Sequence, residues 1–123
     1  MSKSIRGILK KNKTFTVNGS LWIECNGEGI FGPGPVELLE RINDTGSISQ
    51  AAKQMQMSYK KAWEIINALN TQAIHPLVVT QAGGASGGGS VITSEAKEMI
   101  AGYRLLRTRF KAFLEKETEK LNL

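Results

Sequence analysis

Residues 47–70, SISQAAKQMQMSYKKAWEIINALN, read as two short helices joined by a tight turn, and the rest of the chain is organised around them. Ser47 suits an N-cap, and Gln50 completes an S-x-x-Q capping box, in which side chains satisfy backbone N–H groups that lack an intrahelical partner. Gly46 suits the end of the helix before it. Ile48, Ala51, Ala52 and Met55 recur at helical spacing with small side chains in the middle, so a second helix is expected to cross close by. Gln56, Met57 and Ser58 make the turn. Ser58 then N-caps a helix whose inward face is Ala62, Ile66 and Leu69, which leaves Tyr59, Lys60, Lys61, Trp63, Glu64 and Asn67 on its flanks and outer side.

A helix with two lysines, two aromatics and amides outside its core has the composition of a recognition helix, since large exposed aromatics usually have a partner. In a helix-turn-helix the second helix enters the major groove with its N-terminal residues at base edges, and the first crosses the phosphate backbone. The competing reading is an ordinary helical hairpin with Tyr59 and Trp63 folded into the core. On the first reading Ser47, Ser49 and Gln50 face the backbone, and Ser58, Lys60 and Lys61 lie at the entering end, the lysines on phosphate or guanine. Tyr59 and Trp63 either contact bases and thymine methyls or shape the helix surface. Glu64 either accepts from a cytosine amino group or pairs with Lys60 or Lys61, and Asn67 is the adenine reader.

The chain has 123 residues, 41% of them hydrophobic and 22% charged, which fits one globular soluble domain with a core and an appended helix. A net charge of +5 favours polyanionic partners, nucleic acid or an anionic membrane alike. No stretch approaches the roughly 20 apolar residues of a membrane span, and the N-terminus lacks a signal peptide's apolar core. A single cysteine, Cys25, agrees with a reducing compartment, so a cytoplasmic location is expected.

Residues 1–13 hold Lys3, Arg6, Lys10, Lys11 and Lys13 with no acid, and read as a loosely ordered arm that either adds phosphate contacts or is a solvated tail. Alternating apolar residues on both sides of Asn18-Gly19 predict a β-hairpin with strands over 14–17 and 20–25. Residues 26–29 read as a second turn, and Ile30-Phe31 as an apolar anchor. Gly32-Pro33-Gly34-Pro35 breaks the strands and starts a helix with Val36, Leu38, Leu39 and Ile42 as its buried face.

Strands are predicted again over 77–80 and 91–93, joined by a glycine-rich loop containing Gln81, Gly83, Gly84, Ser86, Gly87, Gly88 and Ser90. The loop lacks both the G-x-x-x-x-G-K-[ST] and the G-x-G-x-x-G spacing, and it joins two strands, so nucleotide binding is not indicated. At the tip of a hairpin beside a recognition helix it would be a wing lying along DNA. The alternative is a loose surface loop. Thr93 or Ser94 caps a final helix along which Ala96, Met99, Tyr103, Leu106, Phe110 and Phe113 form a seam at spacings of three and four. That seam either packs on the same helix of a second copy or folds back on the strands of its own chain.

These residues carry a resemblance. GSISQAAKQMQMSYKKAWEIINALN, followed by LVV, GGASGGG and VITSEAKEMI, resembles the N-terminal DNA-binding domain of the ModE family of molybdate-responsive transcription regulators, and the match covers residues 21–103. That family is similar to LysR-type regulators in its winged helix and long dimerisation helix. The resemblance implies that Ser58, Tyr59, Lys60, Lys61 and Trp63 begin the recognition helix, that residues 83–90 are the wing tip, and that the final helix is a dimer interface. Two departures stand out. Full-length members carry C-terminal molybdate-binding modules, whereas this sequence stops just past the helix, so any sensing of molybdate is expected from a separate partner. The wing here is neutral where basic residues are common.

The expected architecture is therefore α+β: a basic arm (1–13), a winged helix-turn-helix with an N-terminal β-hairpin (14–93), and a long C-terminal dimerisation helix (94–123) using Met99, Tyr103, Leu106, Phe110 and Phe113. The expected function is sequence-specific regulation of transcription by a homodimer on a pseudo-palindromic site in double-stranded DNA. The alternative is a module that binds nucleic acid without sequence choice. Neither an enzyme nor a cofactor is expected. His75 precedes Pro76 in a turn, no Cys/His/Asp cluster has metal spacing, and Ser47, Ser49 and Ser58 have no histidine partner.

Overall fold

Two asparagine–glycine pairs compete for the first hairpin, and the second wins. Asn26 and Gly27 adopt φ of 52° and 85°, the positive values that a tight two-residue hairpin turn requires. They join strands β1 (Ile23–Cys25) and β2 (Glu28–Phe31), with Cys25 opposite Glu28 and Ile23 opposite Phe31. The hairpin expected across Asn18-Gly19 does not form, and residues 14–17 are not a strand.

The computed structural model describes residues 4–81 and 89–122. Among these, α1 (Ile5–Ile8), β1, β2, α2 (Pro33–Thr45), α3 (Ile48–Gln54), α4 (Tyr59–Gln72), β3 (Val78–Gln81), β4 (Gly89–Ile92) and α5 (Ser94–Asn122) follow in order, a mixed α+β arrangement with two small antiparallel sheets. The chain divides into two compact units, one spanning Trp22–Tyr103 and the other drawing on Met1–Leu21 and Arg104–Leu123.

In the Trp22–Tyr103 unit, Pro33 occupies the first turn of α2, where its missing N–H costs nothing. Val36, Leu38, Leu39 and Ile42 are buried as the spacing predicts. Gly46 closes the helix at φ 70°, its N–H donating to the Ile42 carbonyl at 2.8 Å. Ser47 caps α3, its Oγ accepting from the Gln50 N–H at 3.1 Å. The other half of the expected capping box is corrected: the Ser47 N–H donates to Thr45 Oγ1 at 3.2 Å, and Gln50 is left exposed. Ala51 and Ala62, both at 0% exposure, let α3 and α4 approach closely. Each large side chain buried around them, such as Leu38, Leu39, Ile42 and Ile66, contributes roughly 1.5–3 kcal/mol of transfer free energy.

Ser58 caps α4 by accepting from the Lys61 N–H at 3.0 Å. Near the other end of α4, Asn70 Oδ1 accepts from the N–H groups of Leu77 and Val78 at 2.8 and 3.3 Å, while its Nδ2 donates to the Val78 carbonyl at 3.2 Å. That triple bond set fixes where β3 begins, one residue later than the composition indicates. β4 pairs with it from Gly89 opposite Gln81 to Ile92 opposite Val78. Thr93 therefore lies outside the strand and caps α5, accepting from the Ala96 N–H at 3.2 Å and donating to the Pro76 carbonyl at 2.8 Å.

The first part of α5 buries Ala96, Ile100 and Tyr103, with the Tyr103 ring edge-on to Phe31 at 5.6 Å. The buried stripe thus runs through Ile100 where the expected seam used Met99, which is half-buried.

In the other unit, the backbone that was expected to pair as a strand is held by side chains of α5. The Phe15 N–H donates to Asn122 Oδ1 at 3.0 Å, Asn122 Nδ2 donates to the Phe15 carbonyl at 2.7 Å, and the Val17 N–H donates to Thr118 Oγ1 at 2.9 Å. With its donors and acceptors engaged this way, the segment has no need of a partner strand. Phe110 packs over Gly19, where an added Cβ would meet its ring at 3.2 Å. Leu105, Leu106 and Phe113 are exposed.

Candidate nucleic-acid interface

An α-helix turns once in about 3.6 residues, so Lys60, Glu64 and Asn67 share the stripe of α4 opposite buried Ala62 and Leu69. All three are exposed, and among the described residues no ion pair joins Glu64 to either lysine. Lys61 is exposed too, but lies on the flank away from the hairpin. Tyr59 and Trp63 lie on the other flank, their rings edge to face at 6.1 Å. Tyr59 is 53% exposed and Trp63 half-buried, so neither is folded into the core as the competing reading required.

That aromatic pair forms one wall of a cleft of about 470 Å³. Ser47 and Ser49 from the α3 end, and Thr80, Gln81 and Ser90 from the β3–β4 hairpin, complete it. Ser47 Oγ and Ser49 Oγ lie 3.1 Å apart. With Ile48 and Gly89 also in the lining, the surface is mainly hydroxyls, an amide and two aromatic rings, and among the described residues no lysine or arginine lines it. Such a surface offers neutral hydrogen-bond donors to an anionic backbone and ring faces to apolar groups.

Ser47, Ser49, Tyr59, Trp63, Gln81 and Ser90, which the sequence assigns separately to the first helix, the recognition helix and the wing, are brought together here by the fold. Ser90 serves largely from the wall, being 6% exposed with its N–H given to the Gly46 carbonyl at 2.9 Å. Thr80 was missed. The signal available for it was the strand alternation that puts it on the same side as Val78. Gln50 and Ser58 are exposed but do not line the cleft. Gly83, Gly84, Ser86, Gly87 and Gly88, the expected wing tip, lie outside the described residues. Of the residues expected at a dimer interface, Leu106 and Phe113 are exposed, Met99 and Phe110 half-buried, and Tyr103 buried.

Among the described residues no helix is long and apolar enough to cross a membrane, and no group of three or more His, Cys, Asp or Glu is placed to hold a metal ion.

No family model matches the chain. Individual proteins do. It is 42% identical over 87 residues, 71% of its length, to the molybdenum transport protein ModE of Azotobacter vinelandii, covering 32% of that protein. With the transcriptional regulator ModE of Haemophilus influenzae it shares 43% over 82 residues, 66% of this chain and 32% of the relative. With the DNA-binding transcriptional dual regulator ModE of Escherichia coli K12 it shares 45% over 74 residues, 60% of this chain and 28% of the relative. The chain spans about a third of the length of the curated relatives it matches. These identities support a relationship to the ModE family.

Proposed function

We propose that this chain is the DNA-binding part of a molybdenum-linked transcription regulator, built as a winged helix-turn-helix. In this reading α3 and α4 are the helix-turn-helix, β3 and β4 the wing, and α5 the dimerisation helix, so that a homodimer reads a pseudo-palindromic site in duplex DNA. The carrying observation is the exposed stripe of Lys60, Glu64 and Asn67 beside a cleft whose walls come from α3, α4 and the hairpin. A lysine at the entering end, a carboxylate one turn on and an amide after it make a donor and acceptor pattern suited to base edges in a major groove. Ser47, Ser49 and Thr80 would meet the flanking phosphates, and Tyr59 and Trp63 would fix the helix surface or touch thymine methyls. The names of the relatives, transcriptional regulators among them, support the same reading. Any molybdate response is assigned to a separate part or partner, because the matched span covers only about a third of those proteins.

Binding to a selected site and to a scrambled duplex across a salt series tests the proposal. A specific regulator keeps a ratio of about 10³ or more between the two at physiological salt. Equal affinities that collapse together as salt rises would leave only a non-specific module.

A further inference from the structure

The positive charge of this chain does not lie in the unit that carries the proposed reading surface. Residues 22–103 hold five Lys and Arg against eight Asp and Glu, while residues 1–21 and 104–123 hold eleven against three. Much of a protein's affinity for duplex DNA comes from neutralised phosphates and the counterions they release. An acidic reading unit leaves that contribution small.

In the other unit Arg6, Lys10, Lys11 and Lys13 surround one cleft of about 220 Å³, closed by Leu121 and Asn122 of α5. All four cations are exposed, no acidic side chain lines the cleft, and among the described residues none of the four has an ion-pair partner. So many like charges around one opening repel each other until an anion arrives. The Asn122 and Thr118 bonds to Phe15 and Val17 tie down the backbone just beyond them, which lowers the entropy lost when the lysines engage a ligand. α1 is only four residues long, too short to present the continuous apolar face of a membrane-lying helix.

We propose that Arg6, Lys10, Lys11 and Lys13 form a sequence-independent binding site for the backbone phosphates of duplex DNA. The proposal rests on the DNA-binding reading above and divides the labour within it: this site supplies affinity, and residues 59–67 supply choice.

The test compares the full chain with the variant Arg6→Gln, Lys10→Gln, Lys11→Gln, Lys13→Gln on a selected and a scrambled duplex over a salt series. Losing four phosphate contacts is expected to lower the slope of log K against log salt by about 3 to 4, with both duplexes weakened equally and their ratio unchanged. The double variant Lys10→Gln, Lys11→Gln is expected to lower it by about half as much, which guards against misfolding of the quadruple variant. An unchanged slope overturns the proposal, as does a change in the ratio alone. Loss of binding to phosphatidylserine vesicles with DNA binding intact also overturns it. If the unaltered chain prefers neither duplex, the reading role of residues 59–67 fails while the slope still decides this site. If it binds neither duplex at all, both fall.

Discussion

Gly89 lies so close to Gly46 that a Cβ at position 89 would stand 2.8 Å from the Gly46 carbonyl oxygen. The same oxygen accepts the Ser90 N–H at 2.9 Å, so the end of α2 and the start of β4 are locked backbone to backbone. Gly46 immediately precedes the Ser47 cap of α3, and β4 carries the hairpin wall of the cleft. One contact therefore sets the spacing between two sides of the candidate interface. Gly89→Ala is expected to push these backbones apart and to cost about 1–3 kcal/mol. A thermal melt checks it, with a midpoint several degrees lower; an unchanged midpoint would show that the contact relaxes freely.

Gln56 sits in the turn between α3 and α4 at φ 56°, a left-handed conformation that disfavours a side chain. Gln56→Gly is expected to stabilise the fold by about 0.5–1 kcal/mol, the relief of strain exceeding glycine's added unfolded-state entropy. Gln56→Val is expected to destabilise it. Urea unfolding midpoints of the two variants should move in opposite directions.

Asn70 holds three backbone groups at the start of β3. Asn70→Ala leaves the Leu77 and Val78 amides and the Val78 carbonyl without that partner, at an expected cost of about 2–3 kcal/mol. Hydrogen exchange at Val78 should speed up markedly, and protection equal to the native chain's would assign the latch elsewhere.

Glu95, in the first turn of α5, has its carboxyl held below the ordinary value of 4.5, chiefly by its own backbone N–H and further by the Ser94 and Thr93 hydroxyls. A carboxyl lowered in the folded state contributes stability that is present above its unfolded value and lost as pH falls through the folded one. The window accordingly opens below about pH 4.5 and extends downward from there. Glu95→Gln is expected to flatten this part of the acid limb of a stability-versus-pH curve without altering it near neutrality.

Asn67→Ala is expected to change sequence preference by about 1–3 kcal/mol at one position of the site, and Lys61→Ala, on the flank outside the base-edge stripe, to lower affinity for every duplex and the salt slope by about 1. Equal weakening on all sequences by Asn67→Ala would remove that residue from base reading.

What could be read in the sequence was local. The caps at Ser47 and Ser58, the buried stripes of α2 and α4 and the αL glycine after α2 each depend on residues within a turn or two, and each is where the spacing put it, while of the two candidates Thr93 and Ser94 it is Thr93 that caps α5. The first hairpin was misplaced because Asn18-Gly19 and Asn26-Gly27 carry the same local signal. The deciding groups, Thr118 and Asn122, lie 101 and 107 residues from Val17 and Phe15. The Gly46–Gly89 approach was invisible for the same reason. In the candidate site, Tyr59 and Trp63 stand out by their exposure pattern, whereas Thr80 needed the β3 register, which is set by side-chain bonds from Asn70, seven and eight residues earlier, that composition does not reveal.

The central claim is that the α4 surface from residue 59 to residue 67 reads duplex sequence as a symmetric pair. Selection from a random-sequence duplex pool with the full chain tests it most directly. The account predicts enrichment of an inverted repeat with half-sites one or more helical turns apart, abolished or altered in base preference by Asn67→Ala. A pool that stays random after selection would contradict it.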